Sequence, residues 1–362
     1  MNVFVAAGFN PSEAEHDTVV TPKTNAEPLA GVQFTGTMPF TTSKADAAYV
    51  TTAPVFDVPV HILHVTDASG AGVMSHPRHV LVAERHAKAS VIESYVSLAD
   101  VSYFTNAVVE VSVDDGATLQ LLRIQRESPT AFHVGTVEAR QGRDSHFMAF
   151  TFQTGAALSR SNVFTVLAGE GCGTTLNGLY MLGGAQHGDH QTRVEHVAPN
   201  CFSREAYKGL LDDSSHGVFN GKVYVHPEAQ KTDGKQSSHA LLLTETAEFD
   251  AKPELEIYAD DVACGHGATS GDLNHDHVFY LKSRGIPEAE AKALLIAAFV
   301  GEAFDTVHHD GIRAALEAAI LGLLDHRAAG ATICPSEAAR SFLTRQLLPS
   351  KQLTCKPWAW IH

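Results

Sequence analysis

Between Val50 and about Thr269, short runs rich in β-branched and apolar residues recur, and each ends at a turn of Gly, Asp, Asn or Pro. Val111-Ser-Val precedes Asp114-Asp-Gly, Val137-Glu-Ala precedes Gln141-Gly, and Val166-Leu-Ala precedes Gly169-Glu-Gly. Val194-Glu-His, Val223-Tyr-Val and Ile257-Tyr-Ala follow in the same way. These six runs start a near-regular step of roughly 30 residues apart, the spacing of a solenoid whose coils each return the chain onto the last. The repeating unit is strand plus turn, with almost no helical period between units, which favours a β-helix over α-solenoids or βαβ folds. An antiparallel sandwich, the other all-β reading, places strands every 8–12 residues.

After Gly271 the period changes to helix. Asn274 caps a short predicted helix through Leu281, stopped by Gly285. Pro287 opens the next, with Glu288 and Glu290 favourable to its positive end. Ala291, Leu294, Leu295, Ala298 and Phe299 define its expected buried stripe, leaving Ile296 and Val300 as spare apolar surface for a partner. A third helix is expected from Asp310 to about Arg327, with Leu321 also outside its stripe, and a fourth from Ser336. The expected organisation is an irregular segment over 1–49, a β-helix core over 50–271, a helical subdomain over 272–348 and a tail over 349–362.

Composition narrows the function. The 362 residues carry 26 Lys+Arg against 41 Asp+Glu, a net charge of −15, so the chain lacks the cationic field that draws nucleic acid. The longest apolar helical stretch, Ala291 to Phe304, is too short to span a bilayer and contains Glu302, so no membrane partner is expected. The N-terminus has no basic start before an apolar run, which disfavours export. Five scattered cysteines with no CxxC suit neither a disulfide framework nor a zinc ribbon, and a reducing cytoplasm is the expected compartment.

Nucleotide motifs fail on spacing. Gly217 and Gly221-Lys222 enclose three residues where a P-loop needs four, and Gly169, Gly171 and Gly173 do not form GxGxxG, so both sets read as turn glycines. His187, His190 and His196 lack the helical H-E-x-x-H pattern of a zinc hydrolase and read as surface or ladder histidines. His308-His309-Asp310 reads as a helix junction. Cys264-Gly-His266 differs: it follows Asp260-Asp261 where the β pattern gives way to helix, and a thiol and an imidazole two apart on extended chain point the same way. Both are metal-ligand types, but two ligands do not complete a site of four, so a second chain would have to supply the rest.

The stretch from Asn200 to Thr306 resembles the SufB/SufD family of iron–sulfur cluster assembly proteins. The matching segments are Phe219-Asn-Gly-Lys-Val, Ala229-Gln-Lys-Thr-Asp, Gln236 ahead of Leu241-Leu-Leu, and Pro253-Glu-Leu-Glu-Ile. Ala259-Asp-Asp-Val-Ala-Cys-Gly-His-Gly-Ala-Thr and Phe279-Tyr-Leu-Lys-Ser-Arg-Gly-Ile complete them in order. The Cys-x-His-Gly-Ala-Thr form is similar to SufD, since SufB typically carries Glu where Gly267 stands. No stretch before Val50 has a helical period, so the helical N-terminal region common in SufD is expected to be short or missing.

The resemblance implies a right-handed parallel β-helix with a C-terminal helical subdomain. It also implies a non-enzymatic, SufD-like scaffold that pairs with a SufB-like subunit and docks a SufC-type ATPase, and a chain able to homodimerise when alone. His266 and Cys264 match the family's interface histidine and its neighbouring cysteine, the implied metal residues of a transient iron–sulfur cluster shared with the partner. Reduced flavin is a candidate cofactor of the complex. The rival reading is a stand-alone β-helix enzyme, a metal-dependent hydrolase or one acting on polysaccharide. At 8% aromatic the chain is poor in the side chains that line sugar clefts.

Overall fold

The computed structural model describes residues 2–7, 32–35, 46–50 and 59–304. Its strands are β1 (Asn2–Ala7), β2 (Val32–Thr35), β3 (Asp46–Val50), β4 (Val60–Thr66), β5 (Met74–Ser75), β6 (Arg78–Ala83), β7 (Lys88–Ser97), β8 (Phe104–Val113), β9 (Thr118–Arg126) and β10 (Phe132–Gln141). Then come β11 (His146–Gln153), β12 (Leu158–Leu167), β13 (Gly173–Leu182), β14 (His187–His196), β15 (Phe202–Leu211), β16 (His216–Val225), β17 (Asp233–Leu242), β18 (Glu248–Ile257) and β19 (Gly265–Gly271). Helices α1 (His275–Ser283) and α2 (Glu288–Gly301) follow.

From β6 onward successive strands alternate between two sheets. One sheet runs β1-β4-β7-β9-β11-β13-β15-β17-β19 and the other β18-β16-β14-β12-β10-β8-β6-β3-β2. Pairing is parallel throughout except for β1 on β4 and β2 on β3. One chain winding two parallel sheets is a parallel β-helix, as the repeat predicts. Phe104, Phe132, Leu158, His187 and His216 stand in register on consecutive coils. The six runs picked out in the sequence are β8, β10, β12, β14, β16 and β18, all on one sheet. Within 1–49, expected to be irregular, β1, β2 and β3 add short strands to both sheets.

Coil stacking is fixed at the corners. His86, Gly116, Asp144, Gly171, Asn200 and Lys231 all have positive φ, and they occupy the same turn of successive coils. Each backbone N–H donates to a carbonyl of the next coil: His86 to Asp115 at 3.0 Å, Gly116 to Arg143 at 2.8 Å, Asp144 to Glu170 at 3.0 Å. Gly, Asn and Asp tolerate this left-handed conformation best, which explains the turn composition. Gly217 and Gly221, by contrast, are not turn glycines. They lie within β16 facing the interior, where an added Cβ would meet Tyr180 2.9 Å away and Gln236 2.3 Å away. Glycine here makes room for large side chains of the neighbouring strands.

The interior has two halves. Strand starts in the odd sheet and strand ends in the even sheet carry the apolar core, with Leu119, Leu121, Phe147, Leu176, Val111, Val137 and Val223 buried. The opposite corner is polar: Arg123, Gln125, Thr151, Gln153, Ser159 and Ser161 point inward and are buried. Because the odd strands place polar side chains inside and Leu122, Phe150, Phe152 and Leu179 outside, they lack a simple in–out alternation.

Helix α2 covers that outer apolar face. Asn274 does cap α1, accepting from the N–H groups of Asp276 at 2.9 Å and His277 at 3.3 Å, and Gly285 ends the turn at φ +87. The expected α2 stripe is corrected. Ala291 is buried, but Leu294 is 47% exposed, and the anchors are Ile296, Val300 and Phe304 against Phe150 and Phe152. Ile296 and Val300 are therefore core, not spare docking surface. An almost wholly apolar helix does not announce which face it buries. Lys208 on β15 locks the end of α2, donating to the Phe299 carbonyl at 2.8 Å and pairing with Glu302. The helices expected from Asp310 and Ser336, with Leu321 and His308-His309-Asp310, lie outside the described residues.

Candidate functional site

The last coil of the β-helix consists of β18 and β19. Among the described residues β19 has one strand partner, β17, and β18 has one, β16. Among the described residues each leaves an edge of backbone N–H and C=O groups facing away from the coils, and no described coil lies above the side chains of the inner face. His266 stands on that inner face in register with Gln236, and it is exposed. Beneath it, Gln236 Nε2 donates to Glu205 Oε1 at 3.1 Å, so one column runs from the sealed interior to the open end. Glu205 is fully enclosed, and burial raises its carboxyl to about 7.

Cys264 immediately precedes β19. It is half-buried against the apolar core, and a Cβ on Gly234 would lie 3.3 Å from its sulfur, so that glycine seats the thiol on the preceding coil. Burial pushes the thiol pKa up, against smaller lowering effects from a Gly234 backbone hydrogen bond and the Lys235 ammonium. At neutral pH Cys264 is thus a protonated thiol, and His266 is the more accessible donor. Lys235 Nζ donates to the Ala263 carbonyl at 3.1 Å, and Lys231 pairs with Asp261, which tethers the approach to β19. The structure thus keeps Cys264 and His266 together at the rim. Among the described residues it brings no third His, Cys, Asp or Glu to them in a metal-holding group. Asp260 and Asp261 do not join them.

The other histidines depart from expectation. His187 stacks edge-on against His216 at 4.8 Å, a ladder contact, but His190 and His196 are inside the solenoid and not on its surface. Burial lowers them to about 3 and about 4. Cys172 and Cys201 lie on adjacent coils with sulfurs 3.6 Å apart as free thiols. The sequence reading missed His64, His79 and Glu93, which meet inside the first coils. Three residues on β4, β6 and β7 share no local spacing. Their only sequence signal is a carboxylate at an inward position of β7, in Val91-Ile-Glu93-Ser-Tyr-Val.

The family model for the SUF system FeS cluster assembly SufBD core domain matches residues 64–299, from within β4 through nearly all of α2. The chain belongs to the SufB/SufD family. It is 37% identical to the iron–sulfur cluster assembly protein SufD of Escherichia coli over 257 residues, covering 70% of this chain and 61% of that protein. A SufBD family protein of Synechocystis is 35% identical, covering 69% and 57%, and SufD of Bacillus subtilis is 28% identical, covering 73% and 60%. These relatives make the chain a SufD-like member, in keeping with Gly267 after His266. It spans about three fifths of the length of each. A second family model, of a protein family of unknown function, matches residues 313–358, a stretch the SufBD core does not include. No helix among the described residues is long and apolar enough to cross a membrane.

Proposed function

We propose that this SufD-like chain is a non-catalytic scaffold subunit of a cytoplasmic iron–sulfur assembly complex. Its open last coil pairs with a SufB-like chain, and the nascent cluster forms at that junction with His266 as a ligand and Cys264 as an auxiliary. The observation that carries this reading is the placement of His266: exposed, on the inner face of β19, beside a strand edge that no described residue pairs. Such edges recruit another chain unless blocked. An incomplete ligand set at an interface suits a cluster that a second chain completes and that is handed on as cargo.

Partner docking at the helical end is the second element of the proposal. Phe279 and Tyr280 on α1 are 73% and 55% exposed, an aromatic pair suited to a SufC-type ATPase. ATP-driven movement of that partner, with reduced flavin supplying electrons, would then drive assembly while this chain holds the geometry. Purified alone, the chain should form a homodimer through the last coil.

Co-purification from the native host tests the reading. The expected result is a SufB-like chain and a SufC-type ATPase retained with the untagged partner surfaces intact, and loss of the ATPase alone in Phe279→Ser/Tyr280→Ser. Recovery of the chain with neither partner would contradict it, as would a strictly monomeric mass for the isolated chain at tens of micromolar.

A further inference from the structure

The polar corner of the β-helix begins at its first coils with three side chains from three strands. His64 on β4, His79 on β6 and Glu93 on β7 are all buried, with His64 and Glu93 each 1% exposed. The two Nε2 atoms are 3.1 Å apart, and Glu93 Oε1 lies 3.8 Å from each. We propose that Nε2 of His64, Nε2 of His79 and Oε1 of Glu93 bind one divalent first-row metal ion, Zn(II) or Fe(II) in class, inside the β-helix.

The geometry separates this from a simple hydrogen-bonded group. One N–H···N bond can join the imidazoles, but the carboxylate oxygen is then too far from either nitrogen to take part. A single ion could sit within bonding distance of all three atoms. The position equidistant from them lies about 2.1 Å from each, the usual Zn–N and Zn–O bond length.

The surroundings orient the ligands as a metal site needs. Tyr95 Oη donates to Glu93 Oε1 at 2.6 Å, and its ring stacks on His64 at 4.4 Å and 5°. Arg123 Nε donates to the other oxygen, Oε2, at 2.8 Å. Such supporting bonds fix the carboxylate and leave a lone pair of Oε1 for the ion. Burial, chiefly, holds both imidazoles below their ordinary pKa, so both are neutral and have lone pairs to give. Burial alone would raise the Glu93 carboxyl, but the Arg123 guanidinium and the Tyr95 hydroxyl act to lower it.

Tyr95 and Arg123, which hold Glu93, also line a small cavity with Gln125, His133, Thr151 and Ser161, and Arg123 Nη2 has no hydrogen-bond partner among the described residues. That cavity adjoins the site through Tyr95 and Arg123 and is not lined by the three donors themselves. Donor chemistry sets selectivity. Arg123 neutralises part of the carboxylate, so binding rests on two imidazoles, which favours Zn(II), Fe(II) and Co(II) over Mg(II) and Ca(II). The ion would clip β6 of one sheet to β4 and β7 of the other at the start of the solenoid.

The test uses the full untagged chain, stripped with chelator and titrated with Co(II), then competed with Zn(II), with metal content measured by mass spectrometry. Expected is one equivalent bound with nitrogen–oxygen d–d bands and no thiolate charge-transfer band, a rise in melting temperature, and no response to Mg(II). The double variant Cys264→Ala/His266→Ala should keep that equivalent. His79→Gln and Glu93→Gln should weaken it by about tenfold or more. The wild-type spectrum decides independently of whether the variants fold. No stoichiometric binding, a thiolate band, loss in the Cys264/His266 double variant, or full retention in a folded His79→Gln chain would each overturn the site.

Discussion

Gln236 on β17 donates from Nε2 to Glu205 Oε1 at 3.1 Å while standing in register beneath His266, so the exposed imidazole at the open end rests on a hydrogen-bonded column of buried polar side chains. That column gives the rim rigidity, because Gln236 is held on one side by the carboxyl and fixes the strand on which His266 sits. It also gives the rim a titratable foundation.

Glu205 is held up to about 7 by burial, above its ordinary 4.5. Between those values the folded chain binds a proton that the unfolded chain has lost, so stability falls as pH rises through this window and levels off above it. Glu205→Gln should match the parent near pH 4.5 and exceed it at pH 8 by on the order of 3 kcal/mol. Urea denaturation at the two pH values checks this, and equal differences at both would refute it.

His190 sits between Tyr180 at 4.8 Å and Tyr207 at 5.3 Å, and burial lowers it to about 3. Here the sign is opposite. The unfolded chain takes up a proton below about 6.5 that the folded chain refuses, so stability drains away as pH falls from there toward 3. The stability of His190→Leu relative to the parent should improve by about 2 kcal/mol between pH 7.5 and pH 5. A pH-independent difference would show that the imidazole titrates alike in the folded and unfolded chains.

Gly178 is in register with Tyr207, and a Cβ there would fall 2.5 Å from its ring. Gly178→Ala must push the tyrosine aside in a packed interior, at a cost of about 1–3 kcal/mol. A melting temperature unchanged from the parent would mean that the ring has room to move.

Phe304 is fully buried against Phe150 and Phe152 on the outer face of the odd sheet. Phe304→Ala should cost about 3–5 kcal/mol and, more tellingly, loosen α2 selectively. Hydrogen exchange over residues 288–304 should accelerate while β8 to β17 remain protected. Equal protection of α2 in variant and parent would mean that Ile296 and Val300 suffice to hold it.

What could be read from the chain beforehand follows from where its patterns are local. The even sheet was visible because its runs from Val111 to Ile257 end in turn residues at each corner. The odd sheet was not, because β9 places Arg123 and Gln125 inside and Leu122 outside, against the usual hydrophobic-in rule. The Asn274 cap and the Gly285 stop are local signals and appear as expected. The buried face of α2 depends on the sheet it lands on, and Leu294 and Ile296 look alike to a helical period. Cys264 and His266 were legible as a pair through their spacing and their place at the strand–helix junction. The seating of Cys264 over Gly234 was not, and neither was the meeting of His64, His79 and Glu93, since both arise from register between coils.

In the proposed function, His266 serves cluster assembly at the rim and not the fold. The most direct measurement of this is complementation with His266→Ala in cells lacking other assembly routes, read as activity of a cluster-dependent enzyme alongside the amount of intact complex. The account predicts that cluster build-up is abolished while folding and partner binding stay near parental levels, with Cys264→Ala weaker because its thiol is half-buried and protonated. Full cluster assembly by His266→Ala would contradict it and make the pair structural.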